Sequence, residues 1–137
     1  MTSPGPDASG GSLFRGVVAV IDDDASVRRA LVRLLTALGV ASEEHASGAA
    51  FLASRDLHDT DCVLLDVHMP GMSGMEVLEQ VREAATKVPV VLMTGRYDPA
   101  FAERSLAAGA SGFLRKPFDE GDLIAAVERA TGSRCRP

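Results

Sequence analysis

The chain has too few cysteines for a disulfide framework: two in 137 residues, Cys62 inside an apolar run and Cys135 near the end. That points to a reduced, cytoplasmic setting. It also lacks clustered cations. Its net charge of -5 argues against nucleic-acid binding, which needs lysines and arginines to neutralise phosphates. No apolar run approaches the roughly 20 residues of a membrane span. The opening MTSPGPDASGGS has no basic-then-apolar layout of a signal peptide, and its Gly, Ser and Pro read as a flexible tail. Internal repeats are missing. So is a Gly-rich Walker A loop, which excludes direct use of ATP by that route.

What remains is ordinary material for one globular unit: 46% hydrophobic and 24% charged residues, with a length that buries about two-thirds of the unfolded surface. The expected division is a tail over 1–14, a folded domain over 15–131 and a short second tail over 132–137. Val17–Ile21 is a β-branched apolar run that stops at Asp22, Asp23 and Asp24. A helix follows, capped by Asp24, with Val27, Ala30, Leu31, Leu34, Leu35 and Leu38 on one stripe and Gly39 closing it. Val40–Ala46 reads as an outlying strand because it carries Glu43, Glu44 and His45, and it offers the chemistry nothing. Ser47 caps a short helix to about Arg55.

The organising stretch is Asp61–Pro70, DCVLLDVHMP. Cys62–Leu65 suits a parallel strand buried on both faces, and it delivers Asp66 to its carboxyl end before Pro70, Gly71 and Gly74 break the chain. A helix over Gly74–Ala85, a strand over Pro89–Met93 ending in Thr94, and a helix from Asp98-Pro99 to about Ala108 come next. A strand over Ser111–Arg115 leads into Lys116-Pro117, and a last helix capped by Asp119 buries Leu123, Ile124, Val127 and Ala130. This (βα)₅ alternation predicts an α/β, doubly wound parallel sheet. Functional groups in such sheets collect at the carboxyl ends of the strands.

Those ends hold Asp22 and Asp23, Asp66, Thr94 and Lys116. Each alone has a plainer use: a solvated acidic loop, a strand-ending turn, a hydroxyl bonded to its own backbone, a surface lysine. Together they are a poor structural choice, because neighbouring carboxylates repel unless a cation sits among them. Oxygen ligands with open positions suit Mg²⁺, a lysine holds a phosphate oxygen, and a threonine hydroxyl donates to another. A remaining carboxylate is then free to attack phosphorus. The set suffices for phosphoryl transfer. His45 and His68 lack a second ligand at metal spacing and read as surface residues.

The acidic pair of VIDDD, with LLDVHMPGMSG, VVLMTG and FLRKPF, resembles the receiver domain of bacterial two-component response regulators, over about Val17–Thr131. In motif style it is most similar to the FixJ-type branch. The resemblance implies a flavodoxin-like (CheY-like) sheet in strand order 2-1-3-4-5. It implies Asp66 as phosphoacceptor, Asp22 and Asp23 as the pair that positions Mg²⁺, and the backbone carbonyl of His68 as a further metal ligand. Thr94 and Lys116 would hold the phosphoryl group, with Phe113 at the aromatic switch position. His68 and Arg96 stand where residues flank that group and influence its lifetime. A cis Lys116-Pro117 bond is also expected.

The implied function is a signalling phosphoacceptor rather than an enzyme, with only its own phosphorylation and dephosphorylation as chemistry. Its donor would be a histidine kinase or histidine phosphotransfer protein. Its output would be a downstream protein partner or a homodimer, through the fourth helix (about 98–108), the fifth strand and the last helix. With only Thr131–Pro137 after that helix, the expectation is a stand-alone receiver without direct nucleic-acid or membrane binding. The alternatives are a receiver from a longer transcription factor, a phosphorelay shuttle, or a Mg²⁺-dependent phosphohydrolase resembling the haloacid dehalogenases. The last would want a second acid where this chain has His68.

Overall fold

A computed structural model describes residues 14–54, 56–84 and 87–135. Most of the expected first tail and the end of the second lie outside them. Five parallel strands are formed: β1 Val17–Ile21, β2 Ala41–His45, β3 Cys62–Asp66, β4 Val90–Thr94 and β5 Gly112–Arg115. Their order is β2-β1-β3-β4-β5. The helices are α1 Ala25–Ala37, α2 Gly48–Ala53, α3 Asp56–Asp59, α4 Gly74–Glu83, α5 Pro99–Ala107 and α6 Glu120–Thr131.

Strand alternation divides the core in two. Ala19, Ile21, Val63, Leu65 and Leu92 face one layer, where Phe51, Val77, Leu78 and Val81 of α2 and α4 cover them. Val18, Val20, Cys62, Leu64, Val91 and Met93 face the other, under Leu31 and Leu35 of α1 and Leu123 and Val127 of α6. Each of β3 and β4 is buried along its whole length, as central strands of a doubly covered sheet must be.

Local chemistry fixes the boundaries. The Asp24 carboxylate accepts from the amides of Ser26 and Val27 to start α1, and Gly39 at φ 76° turns the chain away at its end. Asp98 caps α5 ahead of Pro99, and Asp119 forms a reciprocal capping box with Asp122 on α6. The second helical segment departs from expectation. It stops at Ala53, because Ser54 is extended and its hydroxyl donates to the Phe51 carbonyl at 2.7 Å. A separate turn, α3, then pins Leu57 into the core.

At the pole opposite the acidic edge, the segment before β1 is tied to the segment after α6. The Phe14 amide donates to the Arg134 carbonyl at 2.5 Å, and the Cys135 amide donates to Glu128 Oε2 at 2.8 Å. Cys62 and Cys135 lie in the same apolar layer, and neither is in a disulfide. Burial, followed by Cys135 and Asp61, pushes the Cys62 thiol up to about 12. No helix among the described residues is long and apolar enough to cross a membrane.

Candidate functional site

The carboxyl ends of β1, β3, β4 and β5 bring the expected residues to one edge. Asp22 follows β1 and is fully buried, Asp66 ends β3 at 6% exposure, and Thr94 ends β4 at 2%. Lys116 follows β5, and its peptide bond to Pro117 is cis. Its ammonium donates to Asp22 Oδ2 at 2.8 Å and to Asp66 Oδ1 at 3.1 Å. Asp22 is also used by its own turn, Oδ1 accepting from the Asp24 amide at 2.9 Å. Asp23 is exposed, yet oxygens of Asp22, Asp23 and Asp66 all lie within 4.8 Å of one another.

Crowding shows in the electrostatics. Burial and then the Asp22 charge push the Asp66 carboxyl above its ordinary value, against the pull of the Lys116 hydrogen bond. Burial opposes the charge on Lys116, but its bonds to Asp22 and Asp66 outweigh that and hold the ammonium above its ordinary value. One lysine thus neutralises part of a three-carboxylate cluster. The donor set is all hard oxygen and carries surplus negative charge, and this fits a small divalent cation such as Mg²⁺.

Thr94 points its bonding at its own loop. Its hydroxyl donates to the Arg96 carbonyl at 2.9 Å and accepts from the Arg96 amide at 3.0 Å. His68 is exposed and, with Val67, Thr94, Arg96, Asp98, Phe101 and Arg104, lines a recess of about 210 Å³ beside the cluster. Phe113 is partly buried against the α2–α4 layer. Its ring meets Tyr97 edge-on, with centroids 6.5 Å apart and planes at 89°.

Two contributions escaped the sequence reading. Arg28 of α1 donates through Nη1 to the Asp22 carbonyl at 2.6 Å and through Nε to Glu44 at 3.2 Å. The outlying strand β2 therefore does serve the site, through Glu44. Nothing in the sequence distinguishes Arg28 from Arg29 or Arg33 beside it. Gly74 was legible only as turn punctuation, but a Cβ there would stand 2.7 Å from the Asp66 carbonyl oxygen and 2.9 Å from Val67 Cα. It is the position where α4 presses directly on the backbone that carries Asp66.

An open five-stranded sheet in this order, with acids and a lysine gathered at its carboxyl edge, defines a flavodoxin-like α/β domain with an anionic site. The chain belongs to the response regulator receiver domain family, whose description matches residues 18–128. It is 43% identical over 115 residues to the transcriptional regulatory protein FixJ of Azorhizobium caulinodans, covering 84% of this chain and 54% of that protein. It is 38% identical over 116 residues to the DNA-binding transcriptional regulator NtrC of Escherichia coli, covering 85% and 25%. The chain thus spans about half or a quarter of the length of these relatives. Among solved structures, Vibrio cholerae chemotaxis protein CheY4 superposes with a TM-score of 0.80 at 29% identity, covering 85% of this chain and 99% of that one. The FixJ-N crystal structure gives 0.78 at 35% identity, covering 87% and 95%. The family is a signalling domain of two-component systems.

Proposed function

We propose that this receiver takes a phosphoryl group onto Asp66, from the phosphohistidine of a histidine kinase or a histidine phosphotransfer protein, and signals by a change in its surface. The observation that carries the reading is the Asp66 carboxylate at the end of a fully buried strand, 3.1 Å from Lys116 and crowded by Asp22 and Asp23. Oδ1 is engaged by Lys116, while Oδ2 has no hydrogen-bond donor among the described residues. That oxygen attacks phosphorus. The O–P bond forms as the P–N bond breaks, and the departing imidazole keeps the electron pair and takes up a proton.

Asp22, Asp23, Asp66 and the His68 carbonyl would hold Mg²⁺, which when bound supplies positive charge among the carboxylates and the phosphoryl oxygens. Lys116 then trades one carboxylate for a phosphoryl oxygen, and the Thr94 hydroxyl leaves Arg96 to donate to another. No residue here is needed as a general base, since the nucleophile is already ionised.

The output face is α5, β5 and α6, where a protein partner or a second copy docks. In its favour, β5 is an edge strand, and the exposed large hydrophobics Tyr97 and Leu106 lie on this side. Phosphotransfer from a kinase and two cysteines outside any disulfide support a cytoplasmic location. Acetyl phosphate with Mg²⁺ should add one phosphate by intact mass, and Asp66→Asn should add none. Labelling that survives in Asp66→Asn sinks the assignment.

A second reading is favoured by the longer relatives, of which this chain matches 54% and 25%. In it the receiver works inside a longer regulator and not as a stand-alone protein. The length of the native reading frame decides between them.

A further inference from the structure

Tyr97 is the only tyrosine, and the chain has no tryptophan. It is 48% exposed, in the loop between β4 and α5, yet its ring is held from two sides. Phe113 meets it edge-on at 6.5 Å, and the Arg115 guanidinium lies over it at 5.3 Å from the centroid. Phe113 and Arg115 are two apart on β5 and so share one face of the strand, which lets a single ring span both. The residue just before Tyr97 is Arg96, whose amide and carbonyl are both bonded to the Thr94 hydroxyl. The two rings and the threonine are therefore one mechanical unit.

We propose that Tyr97 is a positioning residue of the switch, holding Phe113 in its partly buried setting and tied through Arg96 to the Thr94 hydroxyl. This rests on the phosphoacceptor reading of Asp66. When the Thr94 hydroxyl turns to a phosphoryl oxygen, it gives up both Arg96 bonds at once. The loop is then no longer clamped, Tyr97 lifts off Phe113 and Arg115, and Phe113 is free to resettle. The exposed ring converts a hydroxyl rotation at a buried position into a change on the surface.

The absence of tryptophan makes tyrosine emission a report on this one ring. Acetyl phosphate and Mg²⁺ should change that emission in step with the phosphate counted by intact mass on the same samples. In Thr94→Ala, the change per phosphorylated molecule should vanish. Aromatic NMR of Phe113 supplies the second readout. Loss of the edge contact should shift the balance between its two settings by about two- to tenfold, the worth of such a ring pair. In unphosphorylated Tyr97→Ala, Phe113 signals should therefore move toward their positions with beryllofluoride, and Tyr97→Phe should restore them. An exposed residue with a merely structural role would not move Phe113 selectively. Unchanged Phe113 signals in Tyr97→Ala, with normal phosphate uptake, overturn the proposal while leaving the Asp66 reading intact. Failure of the wild-type protein to take up phosphate overturns both.

Discussion

Replacing Gly74 by alanine tests how tightly the strand that ends in Asp66 is held from below. The new methyl would stand 2.7 Å from the Asp66 carbonyl oxygen, 2.9 Å from Val67 Cα and 3.3 Å from the Asp66 carbonyl carbon. Ordinary contact begins near 3.4 Å, so backbone must give by about 0.7 Å. Every atom in the way is main chain, and no rotamer can relieve the clash. Overpacking of this kind costs about 1–3 kcal/mol, against which alanine's better helix propensity returns at most about 1 kcal/mol. For a domain of this size that lowers the melting temperature by roughly 3–8 °C. The Gly74 amide also donates to the Val67 carbonyl at 3.1 Å, so the start of α4 and the end of β3 must shift relative to each other. Displacing a nucleophile by a fraction of an ångström slows labelling by about 10- to 100-fold. Thermal unfolding and timed intact-mass labelling with acetyl phosphate read the two effects. Gly112→Ala, where nothing lies within 4 Å of the added carbon, serves as the control. Wild-type melting and labelling in Gly74→Ala would refute the argument. A lowered melting temperature with unaltered labelling would place the displacement in α4 and break the link to Asp66.

Asp66→Asn should stabilise the metal-free protein at neutral pH, because it removes a carboxylate that burial and Asp22 hold above its ordinary value. The folded state binds that proton more tightly than the unfolded chain. Wild-type stability is therefore present below the ordinary carboxylate value of 3.8 and lost as pH rises through the raised one. Denaturant unfolding should show the gap between variant and wild type widening upward from that pH; a constant gap contradicts it. Mg²⁺ should raise the melting temperature by mass action, about 2.7 kcal/mol at a hundredfold excess over Kd, and Asp23→Asn should reduce the effect. Stabilisation unaltered in that variant would move the metal elsewhere. Arg28→Met should cost about 1.5–3 kcal/mol through its charged bond to the Asp22 carbonyl, whereas Glu44→Gln should cost under about 1 kcal/mol because Glu44 is exposed. Equal losses in the two variants would argue against Arg28 as the anchor of the acidic loop.

Much of this architecture was legible because the decisive signals are local. The run Val17–Ile21 before three acids, the Asp24 and Asp98 caps, and the turn at Gly39 each follow from a few adjacent residues. The strand order and the cis bond came from the family resemblance, and both are present. Convergence of Asp22, Asp66 and Lys116 could be anticipated because a parallel sheet sends all its carboxyl ends the same way. What escaped depends on three-dimensional neighbours. Arg28 looks like any exposed helical arginine until Asp22 and Glu44 are placed beside it. The break after Ala53 turns on one serine hydroxyl competing for a carbonyl, and no periodicity encodes that. Gly74 announces a bend in the sequence, but only the fold shows how close the end of β3 lies.

The two thiols give this molecule a pair of internal clocks. Alkylating reagents attack thiolate, and Cys62 is both fully enclosed and held as a thiol up to about pH 12. Its capture has to wait for the central strands to part, so its modification rate counts global openings of the sheet. Cys135 sits just past the last helix, where its amide donates to Glu128 beside the Phe14–Arg134 tie. Its modification counts a much smaller event, the parting of the segment after α6 from the segment before β1. Because Phe14 and Arg134 meet at the pole away from Asp66, phosphorylation that tightened the whole sheet would slow both clocks, and phosphorylation felt only at the acidic edge would slow neither.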